Sequence, residues 1–128
     1  MDEARPRTLA QLLGADAEEL VARRLATGGW TILARNLRVG RAELDIVGID
    51  PGPPHELVVV EVRYRARRDF GLAEETITHR KRQLLRGAIA ALRERNALPA
   101  LATRFDLVVV EPGSAGDVPR IRHHRHAL

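Results

Sequence analysis

The sequence predicts a single α/β domain, and three observations support this prediction. The chain has 128 residues, which is the usual size of one domain and is enough to bury a hydrophobic core. Apolar residues make up 45% of the chain but aromatic residues only 3%, so we expect a core of Val, Leu, Ile and Ala. The spacing of the apolar residues gives elements in the order helix, three strands, helix and strand.

The first helix is predicted over residues 16–27. Asp16 is expected to cap its first turn together with Glu19, and Gly28-Gly29 is expected to end it. The apolar residues at helical spacing on one face are Ala17, Val21 and Leu25.

A β-hairpin is predicted to follow this helix. Residues 30–38 form the first strand, Val39-Gly40 the turn, and residues 41–49 the second strand. Strand alternation is expected to place three residues of the first strand on one side of the sheet, namely Trp30, Ile32 and Ala34.

Residues 57–64 form the most apolar strand and are therefore the candidate for the centre of the sheet. A loop rich in Pro and Gly, residues 50–54, precedes this strand. Alternation along it places Leu57 and Val59 on one face and the intervening valines on the other.

The second half of the chain is predicted to add one long helix and one or two strands. Residues 78–96 carry apolar side chains at helical spacing, and residues 105–110 return as a strand. A final short strand is expected through Ile121, after a turn at 113–117. Segments 1–8 and 112–120 are expected to be loose. No internal repeat or linker divides the chain, so residues 1–128 are expected to form one domain.

The composition excludes several classes of protein. The chain contains no cysteine, which excludes a disulfide scaffold, a zinc ribbon and a thiol nucleophile. Any metal must then be held by carboxylates or imidazoles, and oxygen ligands favour Mg²⁺ or Mn²⁺. The N-terminal residues are charged, and no run reaches the roughly 20 apolar residues that a membrane span needs, so we expect a cytoplasmic protein without membrane contact.

The charge of the chain favours a polyanionic partner. The formal net charge is +4 and the isoelectric point is near 10.8. Basic side chains gain affinity for nucleic acids by displacing counterions from phosphates. Only Lys81 among the 21 basic residues is a lysine. A general preference of this chain for arginine therefore also explains why an arginine stands at any one basic position.

Glu61 interrupts the Val-rich run of the central strand, where an ionised carboxylate is unfavourable unless a cation compensates it. Alternation directs Glu61 and Arg63 to the same face, so the two side chains either neutralise each other or belong to a larger charged site. The preceding strand favours the larger site, because Glu43 and Asp45 are predicted to share a face. The opposite face of that strand is assigned to Ala42, Leu44 and Ile46.

Three carboxylates facing one arginine would repel each other, and a divalent cation would relieve that repulsion. The arrangement also matches the hydrolysis of a phosphodiester, in which metal ions activate the attacking water and neutralise charge on the phosphate. An adjacent cationic side chain then stabilises the transition state.

Two motifs match a known family. Residues 42–47, Ala-Glu-Leu-Asp-Ile-Val, stand where the family has Gly-Glu-Ile-Asp-Leu-Ile, and residues 60–65, Val-Glu-Val-Arg-Tyr-Arg, stand where it has Val-Glu-Val-Lys-x-Arg. Further matches are Glu18, Gly29-Trp30, Ala34-Arg35-Asn36, Phe70-Gly71, Lys81, Arg104-Phe105-Asp106, His123 and Ala127-Leu128. In order and spacing, over nearly the whole chain, the sequence resembles the YraN family of uncharacterised nuclease-like proteins in the restriction-endonuclease-like PD-(D/E)xK superfamily.

This resemblance implies a restriction-endonuclease-like fold, a mixed sheet flanked by helices similar to that of archaeal Holliday-junction resolvases. It implies that Asp45 and Glu61 are metal ligands, that Glu18 reaches over from the first helix, and that the backbone carbonyl of Val62 is a further ligand. Glu43 is either another ligand or a neighbouring carboxylate. Resolvase-like relatives act as dimers, which leaves a homodimer open.

The sequence departs from the family at two positions of the motifs. Arg63 stands in place of the catalytic lysine, and Ala42 in place of a glycine. Arginine is always protonated, so Arg63 can stabilise charge or position water but cannot transfer a proton. Lys81 or Gln83, near the start of the second long helix, either replaces the missing lysine or lies on the surface.

Two further groups of residues have alternative interpretations. The basic run of Arg65, Arg67 and Arg68 either contacts phosphate or forms a solvated loop. His123, His124 and His126 lie near alternate positions of the terminal strand, which would divide them between two faces, so we do not expect them to bind a metal.

Three functions remain open at this stage. The leading hypothesis is a divalent-metal-dependent endonuclease acting on DNA, with branched or damaged substrates included. The second is a nucleic-acid-binding module that cleaves little because of Arg63. The third is a protein-interaction module on a retired nuclease fold.

Overall fold

A computed structural model describes residues 9–65, 78–113 and 118–127, with side chains from residue 13 onward. The elements are α1 (Leu9–Thr27), β1 (Thr31–Val39), β2 (Ala42–Asp50), β3 (Glu56–Tyr64), α2 (His79–Glu94), β4 (Thr103–Glu111) and β5 (Arg120–His124). Of the segments expected to be loose, residues 1–8 and 114–117 lie outside the described part of the chain.

The five strands form one mixed sheet in the order β1-β2-β3-β4-β5. β3 and β4 are parallel, and the other neighbouring pairs are antiparallel. Helix α2 joins the parallel pair, as a crossover connection requires. The predicted α/β class, the β1–β2 hairpin and the central position of β3 are therefore confirmed.

The two helices cover opposite faces of the sheet. Helix α1 packs against Val58, Val60 and Val62 of β3, whereas α2 packs against Leu57 and Val59. The predicted alternation of β3 is thus confirmed, and both faces of the central strand are buried. Within the described residues, no helix is long and apolar enough to cross a membrane.

Helix α1 begins earlier than the sequence predicted. It starts at Leu9, so Asp16 lies inside the helix and its assignment as the N-cap is wrong. The residues before Asp16 are mostly Leu, Ala and Gln, which favour a helix over a cap. The predicted end is confirmed, because Gly28 and Gly29 donate backbone hydrogen bonds to the last turn and Gly29 has a φ of 94°.

The hairpin changes face along its length, which simple alternation did not anticipate. The register of β1 shifts between Ile32 and Ala34, so Ile32 packs in the cluster under α1 and Ala34 against the cluster under α2. The prediction that Ile32 shares a side with Trp30 is confirmed, but the prediction that Ala34 lies on that side is wrong, because the bulge inserts an extra residue.

Simple alternation also fails along β2. Leu44 packs in the cluster under α2 but Ile46 packs in the cluster under α1, so the prediction that they share a face is wrong. On β1, Asn36 lies between the paired residues Arg35 and Leu37 and has a φ of 50°. Asn tolerates this left-handed conformation, and the residue facing it on β2 is Asp45.

Candidate metal centre

The candidate site lies where β2 and β3 separate. Their register runs from Asp50 opposite Glu56 to Ile46 opposite Val60, and Asp45 and Glu61 are the next positions on the two strands. β3 continues beside β4 through Tyr64. The gap between β2 and β3 is therefore lined by two carboxylates from adjacent strands.

Asp45 is fixed in this gap by the backbone of β3. The N–H of Val62 donates a hydrogen bond of 2.8 Å to Asp45 Oδ2. Val62 thus takes part in the site through its N–H, whereas the role of its carbonyl as a metal ligand stays a prediction.

Glu61 is only 2% exposed, yet two cations reach its carboxylate. Glu61 Oε1 lies 3.2 Å from an Arg63 guanidinium nitrogen and 3.4 Å from Lys81 Nζ. The prediction that Glu61 and Arg63 point the same way is confirmed. Lys81, whose role the sequence left open, comes to the site from the first turn of α2.

Two buried polar atoms at this point have no hydrogen-bond partner among the described residues. They are Glu61 Oε2 and Arg63 Nε. A buried polar atom without a partner is unfavourable, and such atoms are few in native proteins. The unpartnered carboxylate oxygen is therefore available to a ligand, and its chemistry suits a hard divalent cation.

Helix α1 brings a third carboxyl, that of Glu18, near Asp45. Burial is the main cause that raises the pKa of Glu18 from 4.5 to about 7. The negative charges of Asp45 and Glu43 act in the same direction, and Arg35 opposes the shift. Glu18 therefore holds a proton close to neutral pH.

The other two carboxyls are perturbed in the same direction. Burial and the charge of Asp45 raise the pKa of Glu61 to about 7, against the opposing charges of Arg63 and Lys81. Burial also raises the pKa of Asp45, against the hydrogen bond from Val62 and the two cations. Asp45 is therefore the carboxyl whose charge disfavours ionisation of both Glu18 and Glu61.

The carboxyls are not arranged as a finished ligand set. In the described part of the chain, no three His, Cys, Asp or Glu side chains are grouped so that they could hold a metal ion as they stand. The reason is visible in the contacts, since Glu61 is turned toward Arg63 and Lys81 while Asp45 is held by the Val62 N–H.

The remaining predicted residues lie at different distances from this centre. Glu43 is exposed and lies 3.7 Å from Arg38, so it affects the carboxyls from the rim. Arg65 donates to the carbonyl of Tyr64. Gln83 lines a separate groove and does not join the carboxyls. Arg67 and Arg68 lie outside the described residues.

A second group of buried charges, on the α1 side of the sheet, was not predicted as a site. Arg104 is 3% exposed and donates hydrogen bonds to Asp50, Glu56 and Asp106. Its guanidinium also lies 5.8 Å from the centre of the Trp30 ring. In the sequence, only the Arg104-Phe105-Asp106 motif pointed to this group of charges. A short polar motif does not show which residues distant in sequence it contacts.

His123 belongs to this second group. Its ring nitrogen lies 2.8 Å from Asp106 Oδ2, and the N–H of His126 also donates to Asp106. Burial would raise the pKa of Asp106, but His123, Arg104 and the His126 N–H outweigh it and hold that pKa below its ordinary value. These contacts attach β5 and the residues after it to the sheet.

The comparisons with known proteins include the candidate metal centre and the Arg104 contacts of the second group. A family model described as "Uncharacterised protein family UPF0102" matches residues 17–110, which include Glu18, Asp45, Glu61, Arg63 and Lys81. A UPF0102 protein of Desulforamulus reducens is 36% identical over 117 residues, covering 91% of this chain and 94% of the relative. The UPF0102 protein of Pelotomaculum thermopropionicum is 40% identical over 119 residues, covering 92% and 96%. That of Roseiflexus castenholzii is 38% identical over 117 residues, covering 91% and 92%.

Proposed function

We propose that this chain, which belongs to the uncharacterised protein family UPF0102, is a divalent-metal-dependent endonuclease that hydrolyses phosphodiester bonds in DNA. One observation carries the proposal. Buried Glu61 has one unpartnered oxygen and two cations at its other oxygen, and burial and the charge of Asp45 raise its pKa. This combination matches the needs of phosphate hydrolysis on a restriction-endonuclease-like fold.

Asp45, Glu61 and Glu18 would hold the cation, with Glu43 at the rim and the Val62 carbonyl as a further ligand. Carboxylate and carbonyl oxygens favour Mg²⁺ or Mn²⁺. When bound, such an ion lowers the pKa of a water molecule and neutralises charge on the phosphate. The protein's part is to hold Asp45 still through the Val62 N–H and to keep Glu61 in a water-poor pocket.

Arg63 and Lys81 would supply the positive charge next to the reacting phosphate. Both contact Glu61 Oε1, so rotation of Glu61 toward a cation would release them to bind phosphate oxygens. Arg63 contributes a permanent charge, because its guanidinium does not lose a proton. Lys81 contributes the compact ammonium group that the strand lacks, from a helix instead of from β3.

A second function is favoured by one observation of its own. Glu61 is already paired with two cationic side chains, and the described carboxyls do not form a ligand set as they stand. A nucleic-acid-binding module that retains the fold and cleaves little would keep this paired state. Both functions include DNA binding, but only the endonuclease would cleave the bound DNA.

The test is a cleavage assay on labelled duplex, single-stranded and four-way-junction DNA, in Mg²⁺, Mn²⁺ or EDTA. The wild-type protein should cleave at least one substrate in the metal lanes only. Asp45→Asn should abolish cleavage, whereas Asp16→Asn, on the exposed side of α1, should not change it. DNA binding without cleavage would favour the binding module, and equal cleavage by Asp45→Asn would refute the proposed site.

A further inference from the structure

A groove lies between the β1–β2 turn and helix α2, apart from the carboxyls. Its volume is about 580 Å³. The turn contributes Gly40 and Arg41, and one face of α2 contributes most of the opposite wall. The lining residues of α2 and its C-terminal cap include Arg80, Gln83, Gly87, Ala88, Ala91 and Arg95.

The described lining of the groove is positively charged. Arg41, Arg80 and Arg95 line it, and no Asp or Glu is among the lining residues that the structure describes. Within the ranges that the structure describes, none of these three guanidinium groups pairs with a carboxylate. Unpaired arginines converging on a concave surface are suited to a partner that presents phosphates, because a guanidinium binds phosphate through two parallel hydrogen bonds.

The length and position of the groove also fit a nucleic-acid backbone. Arg95 follows Arg80 by 15 positions, and at about 1.5 Å per residue this corresponds to roughly 22 Å of helix. Phosphates of one DNA strand advance about 3.4 Å each along the duplex axis, so a surface of this length can reach several of them. Its Arg80 end adjoins Lys81, which reaches Glu61.

We infer that this arginine groove binds the phosphate backbone of duplex DNA and holds the flank of a substrate whose scissile phosphate lies at the candidate metal centre. The inference rests on the proposed function for its choice of partner. Small residues, among them Gly87, Ala88 and Ala91, form part of the lining, and a Cβ added at Gly87 would meet nothing within 4 Å. A sugar-phosphate chain can therefore approach the helix backbone closely.

The test measures binding of a labelled 20-base-pair duplex by fluorescence anisotropy in EDTA, over a series of salt concentrations. The double variant Arg80→Ala/Arg95→Ala removes two groove charges. Arg82→Ala/Arg86→Ala is the matched control, since it removes two exposed charges of the same helix that do not line the groove. The groove variant should lower the slope of log affinity against log salt by about 1.8, and the control should leave it near the wild-type value.

A second pair of variants keeps the arginines and tests the space between them. Gly87→Glu places a carboxylate in the groove and Gly87→Gln places a neutral side chain of the same size there. Both fit the open space at Gly87 and replace a poor helix former with a better one. Gly87→Glu should weaken DNA binding at least about tenfold more than Gly87→Gln, because a negative charge repels phosphate.

The outcomes separate this inference from the proposed function. If the wild-type protein does not bind duplex DNA in a salt-dependent way, both are wrong. If it binds and cleaves DNA, but the groove variants match their controls, the proposed function stands and the groove inference is overturned. In that case the groove serves another partner, such as an acidic protein segment.

Discussion

Replacing Glu61 with Gln should remove a large part of the pH dependence of stability. The pKa of Glu61 is raised from 4.5 to about 7 in the folded protein. Between these two pH values the native state keeps a proton that the unfolded chain has lost, so the free energy of unfolding falls as pH rises through this window. The difference between the two pKa values corresponds to about 3 kcal/mol at a pH above 7.

The assay is urea unfolding of the metal-free protein at a series of pH values, followed by circular dichroism. Between pH 5 and pH 8 the wild-type protein should lose roughly 2 to 3 kcal/mol more stability than Glu61→Gln, which has no proton to lose at this position. Glu18 remains in both proteins, so some pH dependence persists. Glu94→Gln, which removes an exposed carboxyl from α2, should keep the wild-type behaviour. Parallel stability curves for the wild type and Glu61→Gln would refute the account of a strained buried carboxyl.

Two further predictions concern the two groups of charges. Arg63→Lys should change the rate of DNA cleavage only modestly, and Arg63→Ala should abolish most of it, because the positive charge next to the phosphate is what matters. A gain in cleavage rate of at least about tenfold from Arg63→Lys, with DNA affinity unchanged, would instead show that the site needs a lysine. That result would favour a binding module. Arg104→Leu should lower the free energy of unfolding at neutral pH by about 3 to 5 kcal/mol in urea titrations, because Asp50 and Asp106 lose their buried cation. A loss below about 1 kcal/mol would show that Arg104 does not stabilise the fold through these carboxylates.

The sequence predicted the parts of the fold that depend on local periodicity. Alternation along β3 correctly assigned Glu61 and Arg63 to one face, because nine residues of regular strand preserve a period of two. Helix α2 and the hairpin were predicted for similar reasons. The family motifs contributed Glu18, which charge pattern alone would have assigned to a solvated helix face.

The remaining features depend on irregular backbone or on contacts distant in sequence. The register shift after Ile32 and the left-handed Asn36 reverse the face of β1 and β2, and a period of two has no means of indicating either. The approach of Lys81 to Glu61 depends on how α2 packs across the sheet. The Arg104 group required four segments to be brought together, so its members looked like separate surface charges in the sequence.

The most direct test of the metal centre is calorimetric titration of the protein with Mn²⁺ at pH 8 and pH 6, for the wild type, Asp45→Asn and Asp16→Asn. Wild type and Asp16→Asn should bind one or two Mn²⁺ ions per chain at pH 8 and bind more weakly at pH 6, where protons compete for Glu18 and Glu61. Asp45→Asn should lose this binding. Absence of Mn²⁺ binding by the wild type, or equal binding by Asp45→Asn at both pH values, would contradict the assignment of these carboxyls as a metal site.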